Sequence, residues 1–398
     1  MYGPRYYIRV LFYFTYDFAF LLWRKVSEKK SGTGNPEKRP EMLIVRLDAI
    51  GDYVLFRNFL NSIRHSNRFS GHRITLCGNE VWKDLALDLD SGSVDDFIWI
   101  NRREFKSSLS YRWSILSAIR AKDYDVVVQP VMSREFLYGD PVVRLARARE
   151  KIGATGDTVA SSFIAKFISD RFYHKLIPSL PRTTFEFMRN KSFIESLLDE
   201  TINVEHTSIQ LTSGPMKVTL PPTNYMVVFP GAGRKWRRWS PENFALVARH
   251  GCEKYNFGVA LAGSGADRPY TNEVASRLKD FQVLDYTGKL SLVELACLLS
   301  SASLALVNDT GALHIAVAVG CPVVCVSNGN SYLRFVPYPE TWGVPARFVF
   351  HPSLLRKIER SRKPFLPSSE WSKLDINRIE PQNVIEVVDE LLQVTRNK

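Results

Sequence analysis

Apolar residues along this chain fall into two alternating rhythms: short runs the length of a buried strand, and longer stretches apolar on one side only. Met42–Arg46 is the first short run, repeated at Arg73–Cys77, Asp96–Ile100 and Tyr124–Gln129. After the first run, Leu55, Phe59, Leu60 and Ile63 recur at helical spacing. Strands separated by helices predict parallel pairing, so residues 41–205 read as one α/β domain. Asn203–Pro222 breaks the rhythm and ends in Pro-Pro; residues 206–222 read as a linker. A second series begins with Tyr225–Phe229 and continues through Phe257–Ala262, Leu304–Val307 and Pro322–Ser327, giving a second α/β domain over 223–378. Ser240-Pro241-Glu242 and Ser291-Leu292-Val293-Glu294 predict helix starts, the second as a capping box. Past residue 340 the signal weakens until Ile379–Val394, a final helix within 379–398 with Val384, Val387, Val388 and Leu391 on its apolar face.

The polar residues that punctuate these runs collect where a strand hands over to a helix. In Leu304–Gly320 the strand turns through Asn308, Asp309, Thr310 and Gly311 into small, helix-compatible residues. The first backbone N–H groups of such a helix lack internal partners and sit at the positive end of its dipole, a place for a phosphate. The first strand ends likewise at Leu47-Asp48-Ala49-Ile50-Gly51-Asp52, on the edge where open α/β sheets bind ligands. Tyr225–Phe229 runs into Pro230-Gly231-Ala232-Gly233 and then the basic-aromatic loop Arg234–Trp239; Phe257–Ala262 runs into Gly263-Ser264-Gly265-Ala266-Asp267.

Residues 1–40 differ from the rest. Tyr6–Trp23 is dense in aromatic and aliphatic residues with two charges, Arg9 and Asp17, and is followed by a basic flank (Arg24, Lys25, Lys29, Lys30) and a linker to Pro40. On a helical wheel Arg9, Tyr13, Asp17 and Arg24 fall within about 80° of one another. Three readings compete: an interfacial helix with its basic flank on anionic lipid, a helix packed on the protein's own surface, and a membrane-spanning helix of barely sufficient length. A cleaved signal peptide is disfavoured by the aromatic bulk and the lack of a small-residue cleavage site.

Charge adds one constraint. The 398 residues carry 53 Lys+Arg against 41 Asp+Glu, a net charge of +12, so the chain seeks anions: nucleic acid, an acidic membrane surface or a phosphorylated substrate. The five cysteines are scattered without a CxxC and read as reduced core thiols of a cytosolic protein, and the seven histidines have no HxxxH or HExxH spacing, which argues against zinc.

Four segments, in order, resemble glycosyltransferase family 9, the ADP-heptose:lipopolysaccharide heptosyltransferases. They are MLIVRLDAIGDYVL, RAREKIGATG, VVFPGAGRKWRRWSPENFALVA and, most strongly, TGKLSLVELACLLSSASLALVNDTGALHIAVAVGCPVV. The resemblance implies a GT-B architecture, two Rossmann-like domains facing across a cleft. The first would take the acceptor and the second the nucleotide-sugar donor, with inversion at the anomeric carbon and neither metal nor cofactor. It implies that Asp52 is the catalytic base, with Gly51 beside it on the acceptor side. Arg237 would offset charge on the departing diphosphate. Asp309, Thr310, Gly311, His314, Asp267, Gly231 and Lys235 would serve the donor. Arg134, with Arg144 and other cations of the first domain, would meet acceptor phosphates.

Each role has a plainer rival. Asp52 is equally suited to a helix N-cap, and Asp48 stands close enough to exchange roles with it. His314 suits a hydrogen-bonded interior position, Asp267 a helix cap, Arg134 a solvated face. Trp239-Ser240-Pro241 replaces the family's direct Trp-Pro, leaving Arg237 against Arg238 open, with Arg234 close by. The function expected is heptose transfer onto a lipopolysaccharide core acceptor by a cytoplasmic enzyme peripheral on an anionic inner membrane. Rivals are another nucleotide sugar feeding capsule or O-antigen assembly, and a non-catalytic nucleotide-binding module at the membrane. Nucleic-acid binding has only the net charge behind it.

Overall fold

Every short apolar run becomes a parallel strand. The computed structural model describes residues 3–27, 39–211, 219–222, 224–361 and 374–396. The chain forms two compact units, one carrying β1–β6 and the other β7–β12.

In the first unit β1 (Glu41–Arg46), β2 (Arg73–Asn79), β3 (Asp96–Ile100), β4 (Asp123–Gln129), β5 (Arg147–Ala154) and β6 (Lys175–Ile177) pair in the order β3-β2-β1-β4-β5-β6. Every pairing is parallel. All six residues of β1 are buried, as expected of a central parallel strand covered on both faces. In the second unit β7 (Tyr225–Phe229), β8 (Gly258–Leu261), β9 (Val283–Asp285), β10 (Leu304–Asn308), β11 (Val323–Ser327) and β12 (Ala346–Phe350) pair, again in parallel, in the order β12-β11-β10-β7-β8-β9. Strand order thus reverses between β1 and β4 in one sheet and between β7 and β10 in the other. Such switch points open a crevice at the carboxyl ends of the strands. The strands that the apolar pattern passes over, β5, β6, β9 and β12, lie at or next to sheet edges. Two of them have three residues, and β5 carries four charged residues among its first five.

The helix Pro381–Arg396 places Val384, Val388 and Leu391 in the second unit's core with Trp239 and Phe244. The 206–222 linker is described only at 206–211 and 219–222.

The helix Pro4–Ser27 docks on the first unit through Val10, Tyr13, Asp17 and Phe20, all buried. Tyr13 and Asp17 of its polar stripe point inward, while Arg9 is exposed. The Asp17 carboxylate takes a bond from Arg112 Nε at 2.8 Å, inside the protein, and Tyr13 Oη donates to the Lys106 carbonyl. What otherwise faces outward is the apolar remainder, with Ile8 67% and Leu11 64% exposed. These are the contacts of a helix packed on its own protein. Among the described residues no helix is long and apolar enough to cross a membrane. Lys29, Lys30 and the linker to 38 lie outside the described residues.

Candidate functional site

In the second unit the switch point is built by one asparagine. At the end of β10, Asn308 is fully buried; its Nδ2 donates to the Pro230 carbonyl at 2.8 Å and its Oδ1 accepts from the Trp239 backbone N–H at 3.1 Å. One side chain therefore ties the turn after β7 and the basic loop to the turn after β10. Asp309 is buried beside it, accepting from the hydroxyls of Ser327, at the end of β11, and of Ser331 in the segment after it. These bonds tie the Asp309 side chain into the turn.

Thr310 is the N-cap of the helix Gly311–Ala318, with extended backbone, but its hydroxyl makes no capping bond. Thr310 Oγ1 is buried with no hydrogen-bond partner among the described residues, and so is Arg237 Nε. Arg237 reaches the same turn, its Nη1 3.5 Å from the Asp309 carbonyl. The register question between the two arginines has a geometric answer. Arg238 Nε donates to the Ala232 carbonyl at 2.7 Å, its Nη1 meets Tyr270 Oη at 2.6 Å and its guanidinium stacks over that ring, whereas Arg237 is turned to the helix start. Lys235 and Arg234 are exposed on the same loop. A buried donor, a buried hydroxyl and a helix N-terminus without partners make a place for an anion, because each is costly to leave unmet.

His314 lies one turn into this helix and is interior. Its Nδ1 is 2.6 Å from Tyr338 Oη, and burial pushes its pKa down to about 4, with Arg237 lowering it further against the pull of Asp309. It is a neutral core histidine at pH 7. Asp267 is likewise a capping residue: its carboxylate accepts from the Ser264 backbone N–H at 2.9 Å and hydroxyl at 2.6 Å. That carboxylate also explains Gly231. A Cβ at residue 231 would come within 2.3 Å of Asp267 Cγ. Gly231→Ala is expected to destabilise the protein by about 1–3 kcal/mol through overpacking, measured by urea unfolding.

In the first unit the turn after β1 is also tightly held. Arg46, 1% exposed, pairs with the Asp48 carboxylate at 3.0 Å and donates to the Asp52 carbonyl at 3.0 Å. The Asp48 carbonyl accepts from Trp82 Nε1 and Asn79 Nδ2. Asp48 is therefore a structural brace. Asp52 sits inside the short helix Ile50–Val54, whose N-cap is Ala49, so it is not the N-cap; it is partly exposed, with Gly51 buried beside it.

The apolar pattern did not single out two further residues near this turn. Arg102, just past β3, donates to the Leu47 carbonyl at 2.8 Å and pairs with Glu135, in the segment after β4. Burial raises the Glu135 pKa, Arg102 opposes this, and the negative charges of Asp52 and Asp140 add to it. Both residues follow carboxyl ends of strands, the one signal that pointed to them. Arg134, by contrast, is an interior residue: it pairs with Asp170, stacks on Tyr173 and is 3% exposed. It is thus not on the solvated face that was the plainer rival to an acceptor-binding role. Arg144 stacks over Phe14 and Phe172. Among the described residues no three His, Cys, Asp or Glu side chains converge as a metal site.

The sequence pattern described as "Glycosyltransferase family 9 (heptosyltransferase)" matches residues 112–342, more than half the chain. A lipopolysaccharide core heptosyltransferase of Haemophilus influenzae, OpsX, is 30% identical over 114 residues, which cover 28% of this chain and 33% of that protein. The chain thus spans about a third of the length of that curated relative. A solved glycosyltransferase of family 9 from Veillonella parvula shares the fold with a TM-score of 0.67 at 19% identity, over 91% of this chain and 100% of the other. Heptosyltransferase WaaC of E. coli, solved with ADP, shares it at 0.66 and 16% identity, over 88% and 99%.

Proposed function

The chain belongs to glycosyltransferase family 9, and on that premise we propose that it transfers heptose from ADP-heptose to a lipopolysaccharide core acceptor, at the cytoplasmic face of the inner membrane. The observation that carries the reading is the pair of unmet buried polar atoms, Arg237 Nε and Thr310 Oγ1, at a helix start on the switch point of the second unit. A nucleoside diphosphate answers both and the helix dipole together. The relatives' names supply the rest: one acts on lipopolysaccharide core, another was solved with ADP.

The step balances without a metal or cofactor. Asp52 accepts the proton of the acceptor hydroxyl as its oxygen attacks the anomeric carbon from the face opposite the nucleotide. The bond from that carbon to the diphosphate breaks, inverting the centre. The negative charge gathered on the departing ADP is met by Arg237, by the N–H groups of Thr310 and Gly311, and by Lys235 from the exposed loop. Gly51 keeps the backbone next to Asp52 clear for the acceptor. Asp267, Asp309 and His314 act at one remove, holding the three turns in shape.

Arg237→Ala is expected to cut kcat by about 10²–10³-fold with a smaller change in KM for the donor, read from initial rates. The reading as a whole is tested with isotope-labelled donors (ADP-heptose, then UDP-, GDP- and dTDP-sugars) on truncated lipopolysaccharide acceptors. Transfer from ADP-heptose is expected. Transfer only from another nucleotide sugar would redirect the assignment to other glycan assembly, and ADP binding without transfer from any donor would leave a binding module.

A further inference from the structure

The helix Pro4–Ser27 is inside-out for a protein surrounded by water. A surface helix of a soluble protein buries its apolar stripe and wets its polar one. This helix buries Asp17 and Tyr13 and turns out Tyr7, Ile8, Leu11, Phe12, Phe18 and Leu22, an apolar band of roughly 140° at 100° per residue. The helix Phe163–Ser169 does the same. It buries Ala165 beside Val10 and Tyr13, packs Ile168 against them, and exposes Phe163 (74%), Ile164 and Phe167. A bond from the Ser162 N–H to Tyr6 Oη ties the start of one helix to the other. Two neighbouring helices thus present apolar outer faces, well beyond the scattered single residues normal on a soluble surface.

The charges around this surface are predominantly positive. Asp17 pairs with Arg112 and Asp170 with Arg134 and Lys166, while Glu104 is exposed on the short helix that supplies Arg103 and Lys106. Its cations point outward. Arg5 and Arg9 border the apolar band, and Arg171 stacks over the exposed Phe167 ring at 3.9 Å. At the Arg9 edge, Ile8 and Phe12 form a wall of a pocket of about 740 Å³ into which Arg9, Arg102, Arg103 and Lys106 converge. Among the described residues only Arg102 of these four has a carboxylate partner.

We propose that the outer faces of Pro4–Ser27 and Phe163–Ser169, with the basic pocket at their edge, form a docking surface for an anionic phospholipid bilayer. The aromatic and aliphatic side chains enter the boundary between headgroups and acyl chains, and the pocket cations take lipid phosphates. The charge pattern selects this occupant, since a second copy of the chain would bring like charge against like. Because Arg102 reaches from the pocket to the Leu47 carbonyl in the turn that carries Asp52, docking brings the first unit's candidate site down to the lipid surface.

The test is vesicle flotation of the full-length protein, which involves no sugar transfer and so fails or succeeds apart from the proposed reaction. Binding to mixed phosphatidylcholine–phosphatidylglycerol vesicles is expected, with little to phosphatidylcholine alone and loss at high salt. Phe163→Asp/Phe167→Asp and Ile8→Asp/Leu11→Asp are each expected to weaken binding by about tenfold or more. Arg103→Glu/Lys106→Glu should weaken it by about fivefold per cation. All six positions lie outside the proposed transfer machinery, and unchanged thermal midpoints establish that the variants are folded. No flotation of the parent protein, equal binding to neutral vesicles, or undiminished binding by the apolar variants would overturn the proposal. So would a concentration-dependent dimer in sedimentation velocity that Phe163→Asp/Phe167→Asp abolishes.

Discussion

Asp52→Asn is expected to lower turnover by about 10²–10⁴-fold, the range lost when a positioned general base can no longer accept a proton. The amide keeps the shape of the carboxylate, so donor binding and thermal stability should stay close to those of the parent. Initial rates over a donor titration check this, and full turnover in Asp52→Asn would remove the residue as base. Asp48→Asn separates the two aspartates of the turn. Asp48 is bonded to Arg46, itself 1% exposed, and its loss leaves that guanidinium without its carboxylate partner. Its defect should therefore appear as lost stability, accompanied by whatever disorder follows in the turn.

Asp17→Ala is expected to destabilise the protein by about 3–5 kcal/mol, because it leaves a buried guanidinium without its counter-charge. Arg112 is 0% exposed; besides Asp17 it has the Leu137 carbonyl and the rings of Tyr13 and Phe105. At about 2–4 °C per kcal/mol for a unit of this size, the midpoint falls by roughly 6–20 °C in calorimetry. Asp17→Leu/Arg112→Met removes both charges and should recover much of the loss. A single mutant with the parent's midpoint would show that the pair contributes nothing to holding the helix.

The central strands were legible because both faces of a parallel strand are covered: β1, β10 and β11 each hold a run of four consecutive apolar residues. β6 and β9 have only three residues each and β5 opens with four charged side chains in five, so they left no comparable trace. The turns at the two switch points were legible for a related reason. Asn308–Gly311, Pro230–Gly233 and Gly51-Asp52 are polar or glycine-rich breaks in the apolar pattern at the carboxyl ends of strands, the residue types that turns favour. Partnership was not legible. No spacing in the chain announced that Asn308 would span to Trp239 and Pro230, that Arg238 would be taken by Tyr270 while Arg237 turned to Thr310, or that Arg102 and Glu135 would meet near Asp52.

The sequence alone determined the alternation of strand and helix, the two α/β halves and the position of each polar turn, because these follow from local periodicity and backbone chemistry. Only the tertiary structure decided which neighbours each polar group meets. Asp267 and His314 are buried against near partners, and Arg134 lies in the interior, paired with Asp170. The helix Pro4–Ser27 is the clearest case. Its wheel showed one polar and one apolar face, but not which would turn inward; a single buried cation, Arg112, 95 positions further along the chain, settled that by pairing with Asp17.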